Sequence, residues 1–332
     1  MTQEPQHPAL AIQQLATAYW TSRCLHVAAD IGVADALGEE PQTAEALARS
    51  LGVKPDPLHR ILRSLANHGV FEHDGERFAH NQSSRLLRTG VAGSLRSLAR
   101  MMGMKVHWDA FRELDSALHT GQSPMARVTE GGFFPYLADH PEEARLFNEA
   151  MAGKSVAQIA AVTKAYDFSA FKTIGDIGGG LGHLLHAVLD TAPQARGVLF
   201  DLPEVIASAR ERSSPRVTYV GGSFFKDPIP ACDAYMMMTV LHDWSDAEAI
   251  AILSNLRSGA PRDAKLLLLE GVVEPTARNN FLVDLDIEML VMVSGRERTR
   301  GEWERLLSQA GFRLTRVVPT STSSSIIEAE LT

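Results

Sequence analysis

Apolar residues recur at helical spacing through the first part of the chain. Over residues 8 to 37, Leu15, Ala18, Tyr19, Leu25, Ala28, Ala29, Ile31, Val33 and Leu37 fit two helices broken near Asp30-Ile31-Gly32. Thr43 is placed to cap a helix through AEALARSLGV ending at Gly52, and Asp56 followed by Pro57 opens a second, LHRILRSLANHG, that stops at Gly69. VFEHDGERFAH then alternates around Asp74-Gly75, a hairpin signal. Two helices and a hairpin make the order of a winged helix-turn-helix over residues 1–90. The helical period continues through residues 91–165, with Met and aromatic side chains that suit a core and in part the wall of a ligand pocket. From 166 to 332 the pattern alternates strand and helix, with strands expected at 173–177, 197–202, 217–221, 232–241, 264–273, 313–319 and 323–331 and a late helix at 300–310. Such an alternation builds an α/β doubly wound sheet with its ligand site at the carboxyl ends of the strands. The last two strands, joined without a helix, are expected to pair antiparallel at the edge.

Charge and composition narrow the classes. A formal charge of -8 on 332 residues disfavours nucleic acid or an anionic membrane surface as the main partner. The would-be recognition helix at 57–68 offers only Arg60 and Arg63 as basic groups, so packing or dimerisation is its expected role. Cys24 and Cys232 form no CxxC pair, and the His183/His186 pair lacks an evident third ligand, so neither a disulfide framework nor a metal is expected. The opening MTQEPQHPAL has no basic region followed by an apolar core, and no apolar run reaches membrane-spanning length; a cytoplasmic protein is the expectation.

Strand residues 173–177 run into Gly178-Gly179-Gly180-Leu181-Gly182 and then HLLHAVLDTAP. Glycines at a strand-to-helix turn let a ligand approach the backbone and leave helix N-terminal amides for an anionic group. A dinucleotide fingerprint would need glycine at 183, which is His. The D-x-G-x-G-x-G turn suits instead a nucleoside that carries a carboxylate and no pyrophosphate. Asp201, ending the next strand, is placed to accept both ribose hydroxyls.

The segments CDAYMMMTVLHDWSD, LLLLEGVVEP and EMLVMVSGRERTRGEWERLLSQAGF, with HWDAFRELDSALHTGQSP and FNEAM upstream, resemble the plant- and bacterial-type small-molecule O-methyltransferases, among them caffeate, acetylserotonin and antibiotic-tailoring enzymes. The resemblance implies a Rossmann-like methyltransferase sheet behind an N-terminal all-helical winged-helix dimerisation domain, with residues 91–165 linking the two. It also implies a homodimer, S-adenosylmethionine as cofactor and a small phenolic substrate. His242 looks like the catalytic base, Glu270 like the acid that holds it, and Glu297 like a second flanking acid. Cofactor contacts are implied for Ser155, Gly178, Gly180 and Asp201 with Leu202, and for Ser223, Phe224 and Met238. Trp108, Met151, Asp243 and Met289 fall at substrate-facing positions. Two places depart from the family pattern: Ser223 stands where an acid usually accepts the adenine amino group, and Met238-Thr239 where a basic residue is common.

The chemistry follows from ordinary acidities. A phenol near pKa 10 and an imidazole near 6.5 make full deprotonation before attack uphill by roughly 5 kcal/mol, so proton transfer must accompany attack. A carboxylate on the far ring nitrogen fixes the tautomer and favours the imidazolium that forms. Methylation is therefore expected ahead of two rivals, a hydroxylase- or cyclase-like activity on the same fold and a winged-helix regulator.

Overall fold

In the computed structural model, residues 7–276 and 280–332 are described. Residues 1–6, part of the segment read above for a targeting signal, lie outside them. The chain divides into two compact units, Met1–Trp108 with Leu137–Val156 and Asp109–Tyr136 with Ala157–Thr332. Residues 91–165 are divided between the two units.

In the first unit the expected helix pair over 8–37 is three segments, Pro8–Thr17, Tyr19–Asp30 and Val33–Leu37. The added break is a tightened turn, since Ala18 keeps helical angles but its N–H reaches back only three residues, to Leu15 O at 3.3 Å. Thr43 caps Ala44–Leu51 by accepting from the Ala46 amide, and Gly52 closes that helix in the left-handed region. The next helix begins at Pro55, two residues before the expected start; Lys54 is its cap, and Asp56 lies within the first turn. The domain is not helical throughout. Strands β1 (Gln42–Thr43), β2 (Glu72–His73) and β3 (Arg77–Ala79) form an antiparallel wing in the order β1-β3-β2. Leu47, Leu62, Leu65 and Phe78, each fully buried, centre its core. Leu10, Ile12, Leu15, Tyr19 and Trp20 stay exposed on the first two helices, an apolar row of the kind that marks an association surface.

The second unit is the α/β sheet. Its strands are β4 (Thr173–Ile177), β5 (Arg196–Asp201), β6 (Val217–Gly221), β7 (Ala234–Met238), β8 (Lys265–Val273), β9 (Arg298–Thr299), β10 (Phe312–Pro319) and β11 (Ser324–Leu331). The order is β10-β11-β8-β7-β4-β5-β6, with β9 added beside the end of β8. Ala234-Tyr235-Met236-Met237 in β7 and the Leu266–Leu269 run of β8 are buried throughout, because central parallel strands are covered by helices on both faces. β10 and β11 pair antiparallel at the edge as expected. The expected strand 232–241 ends early, at Met238. Thr239 has φ +51, a left-handed conformation that is costly for a β-branched residue, and the chain turns into a 3-10 helix at Leu241–Asp243.

The sheet sets the site by register. Met238 pairs with Leu269, Ile177 with Phe200 and Asp201 with Gly221, so the carboxyl ends of β7, β8, β4, β5 and β6 lie in one row. The strand order reverses between β7 and β4, where open sheets of this kind take their ligands.

Candidate active site

At the ends of β4 and β5 the glycine turn closes against Asp201. The Gly178 amide donates to Phe200 O at 2.8 Å and the Gly180 amide to Asp201 Oδ2 at 2.8 Å, while Asp201 Oδ1 accepts from the Leu202 amide at 2.7 Å. Gly178, Gly180 and Gly182 all hold positive φ. A Cβ on Gly180 would meet nothing within 4 Å, so its backbone faces open space. Gly179 is required for another reason: a Cβ there would lie 2.6 Å from Asp176 Oδ2. Asp176 is buried, its Oδ2 has no protein partner, and burial, then the neighbouring charge of Asp201, pushes its pKa up to about 7. Burial likewise raises Asp201, against the lowering effect of its two amide donors. The helix His183–Thr191 starts at Gly182 with no side-chain hydrogen bond from its cap residue. A polar, hydrogen-bonding nucleoside with a carboxylate fits this end of the sheet.

Beyond β6, Phe224 packs toward the turn, with its Cε1 3.5 Å from where a Gly178 Cβ would stand. Asn255 Nδ2 holds that loop through Phe224 O and Asp227 O, and Asp227 Oδ2 accepts from the Ser223 amide at 2.8 Å. The Ser223 hydroxyl accepts weakly, at 3.4 Å, from the Phe225 amide. The turn does contain a carboxylate, four residues after the position where one was expected, and it is engaged with backbone. Met238, half-buried at the end of β7, packs on the second face of the sheet core.

His242 follows β7 in the 3-10 turn and is 5% exposed. Its Nδ1 meets Glu297 Oε1 at 2.7 Å, and its Nε2 lies 3.4 Å from Asp243 Oδ1. Glu270 does not hold the ring. Its Oε1 accepts from the Val240 and Leu241 amides at 3.0 and 2.9 Å, tying the start of the turn to the second half of β8. The ring-holding acid is therefore Glu297, where the family resemblance had assigned Glu270. The reason is local: Thr239 turns the chain beside β8, which runs on past Glu270 to Val273, so the Glu270 carboxylate meets backbone donors of the turn. Burial would depress the imidazole, but Asp243, Glu270 and Glu297 outweigh it and raise His242 to about 9. Burial, against the lowering effect of His242, raises Glu270 to about 7.

The loop before Glu297 is shaped to seat this turn. Ser294 has φ +62, the Arg296 amide donates to His242 O at 2.8 Å, and a Cβ on Gly295 would stand 1.9 Å from that same oxygen. Gly295→Ala must displace backbone on one side or the other. A loss of about 1–3 kcal/mol in unfolding free energy is expected, with reduced turnover; unchanged thermal melting and turnover would show that the loops are not in contact. Asp286 Oδ1 accepts from the Glu297 amide at 2.7 Å and fixes the acid in turn. Around Trp244 the rings of Phe134 (centroids 5.9 Å, 22°) and Phe225 (4.8 Å, 85°) form an aromatic cluster beside the base.

The remaining expected contacts divide between the units. Met289 is buried on the helix Phe281–Met292 of the second unit. Trp108, Met151 and Ser155 belong to the first. There Trp108 is edge-on to His26 at 6.1 Å with the Arg23 guanidinium 5.8 Å from its ring, and the Ser155 hydroxyl donates to Ala152 O at 2.9 Å, within its own helix. Among the described residues no group of three or more His, Cys, Asp or Glu is arranged to hold a metal ion, and no helix is long and apolar enough to cross a membrane. Sequence reasoning missed Asp286, Asp227, Asn255 and Arg298. Arg298 carried the one available signal, a charged residue inside the GRERT motif.

Residues 111–313 match the O-methyltransferase domain and residues 13–90 the O-methyltransferase dimerisation domain. The chain belongs to the O-methyltransferase family. It is 40% identical over 322 residues to a phenazine O-methyltransferase, PhzM, of Lysobacter antibioticus, covering 95% of this chain and 94% of that protein. A mitomycin biosynthesis 6-O-methyltransferase of Streptomyces lavendulae is 34% identical over 335 residues, covering 96% and 95%. Human N-acetylserotonin methyltransferase, solved in complex with S-adenosylmethionine, superposes with a TM-score of 0.89 at 26% identity over 100% of this chain and 99% of that one. With its dimerisation domain, this O-methyltransferase is a homodimer.

Proposed function

We propose that this methyltransferase transfers the methyl group of S-adenosylmethionine to a hydroxyl of a small aromatic molecule, with His242 as general base. The observation that carries the role of His242 is the Glu297–His242 contact of 2.7 Å in a buried turn at the strand ends. A carboxylate on Nδ1 keeps a proton there and points the lone pair of Nε2 at the acceptor, as a base requires. Asp201 and the glycine turn would hold the cofactor's ribose, and Phe224 would flank its adenine. The bound cofactor supplies an electrophilic methyl on a sulfonium. His242 accepts the hydroxyl proton at Nε2 as the oxygen attacks, and Asp243, Glu270 and Glu297 stabilise the imidazolium that results. Trp244 and its neighbouring rings wall an aromatic acceptor and keep water away. The two free thiols, Cys24 and Cys232, suit the cytoplasm.

A transfer assay with tritiated S-adenosylmethionine and a panel of phenols, catechols, benzoic acids and anilines tests the reading. Label is expected in O-methyl products of hydroxylated rings. Transfer to the aniline nitrogen alone, or none to any hydroxyl while the cofactor binds, would overturn it.

A further inference from the structure

Glu297 is not alone in holding His242. The next residue, Arg298, is fully buried, and its guanidinium reaches both ends of the catalytic turn. Nη1 donates to Leu241 O at 2.9 Å and Nη2 to Trp244 O at 2.9 Å, bracketing His242 and Asp243. Nε and Nη2 also meet Asp246 Oδ1, at 2.9 and 2.8 Å, in the first turn of the helix that follows. The guanidinium carbon stands 5.1 Å from the ring of Trp303, whose Nε1 in turn donates to Gly271 O at 2.9 Å beside Glu270. β9 places Arg298 opposite Val272, one strand from that same glycine.

Stability alone does not require this arrangement. A buried arginine is expensive to desolvate, and a well-packed apolar side chain at such a site is often as stable or more so. What the planar fork provides is direction: two carbonyls three residues apart are fixed to one rigid group, which a lysine cannot do. The turn needs that restraint, because it begins from the strained Thr239 and its 3-10 hydrogen bonds are long, at 3.2 Å for Asp243 N to Val240 O and 3.4 Å for Trp244 N to Leu241 O.

We propose that Arg298 is a positioning residue for methyl transfer, its guanidinium holding the backbone on both sides of His242 so that the imidazole meets the acceptor hydroxyl at a fixed angle. Consecutive residues at the start of β9 divide the task, Glu297, just before the strand, on the ring and Arg298 on the main chain. The inference rests on His242 being the base, and the test separates the two.

Arg298→Met keeps an unbranched, flexible side chain against Trp303 and removes every donor. Since a misplacement of about 1 Å costs on the order of 100-fold, single-turnover transfer is expected to fall about 10-fold or more. Binding of S-adenosylhomocysteine by calorimetry and the acceptor KM should each stay within about two-fold, since neither contacts Arg298. Arg298→Lys, able to reach one carbonyl at a time, should fall between the two proteins. In a His242→Gln background Arg298→Met should cost less than about two-fold more, because residues that act through one group are not additive. A folded Arg298→Met at the normal rate, or the same full loss repeated in the His242→Gln background, overturns the proposal. If Arg298→Met does not fold, Arg298→Lys decides: a wild-type single-turnover rate overturns the proposal and a loss of several-fold supports it. A His242→Gln protein of normal rate would instead sink the base assignment itself.

Discussion

His242→Gln is expected to lower single-turnover methyl transfer by about 100-fold or more while leaving S-adenosylhomocysteine affinity nearly intact. Glutamine approximates the reach of the imidazole toward Glu297 and can donate an amide proton to it. It cannot accept the proton of the attacking hydroxyl, and without that transfer the phenol must ionise into a site that already holds Asp243, Glu270 and Glu297 around the lost base. The proposed cofactor contacts lie on other strands, at the ends of β4, β5 and β6, so S-adenosylhomocysteine affinity reports on folding independently of the base. A variant with near-normal single-turnover rate would show that the hydroxyl loses its proton elsewhere.

The charge around His242 also sets a pH profile. Burial works against the imidazolium, yet the three carboxylates raise the group to about 9, so its charged form predominates in the free enzyme at neutral pH. The neutral form is the active base, and at two pH units below the pKa only about 1% of the ring is neutral. kcat/KM for S-adenosylmethionine is therefore expected to climb about tenfold per unit from pH 6 and to level near 9. A sulfonium cation brought into the site disfavours a second cation on the ring. The same limb in kcat should then lie at lower pH. A flat profile between pH 6 and 9 would contradict a base of this raised pKa.

Much of the fold was legible because its signals are local or periodic. The Leu266–Leu269 run and Ala234–Met237 read as central strands since burial on both faces leaves no polar position. The glycine turn, Asp201 and His242 stood out because open sheets gather ligands at strand ends, and those ends are fixed by register. What escaped depends on the path of the chain after each strand. Thr239 and Ser294 adopt positive φ with no glycine or asparagine to announce it. That one feature decides that Glu270 faces amides and that Glu297, reached through the Gly295 turn, faces the ring. Asp227 was missed for a similar reason: its carboxylate folds back four residues onto the Ser223 amide, a contact that a short polar sequence permits but does not dictate. The end of β7 three residues early and the added break at Ala18 each turn on the backbone of one residue, Thr239 or Ala18, below what apolar periodicity resolves.

The exchange of roles between the two acids gives the second large effect. Glu297→Gln removes both the charge and the charge-assisted bond on Nδ1, and such bonds are worth about 1.5–3 kcal/mol. At 1.4 kcal/mol per factor of ten, kcat should fall about 10- to 100-fold. The sign of the pH change is fixed as well. Glu297 raises the imidazole through its hydrogen bond and its charge, so losing the charge lowers the His242 pKa and moves the activity limb to lower pH. Glu270→Gln is a milder change, because the glutamine carbonyl can accept the Val240 and Leu241 amides in the same place and the parent acid, raised to about 7, is already partly protonated at neutral pH. Its limb should also shift down, with a loss of only a few-fold in kcat, since the geometry of the ring is untouched. Side-by-side pH–rate profiles of the two variants separate a ring-holding acid from a loop-holding one. If Glu270→Gln proves the slower enzyme, the imidazole turns to Glu270 when substrates bind, and the 2.7 Å contact with Glu297 belongs only to the free protein.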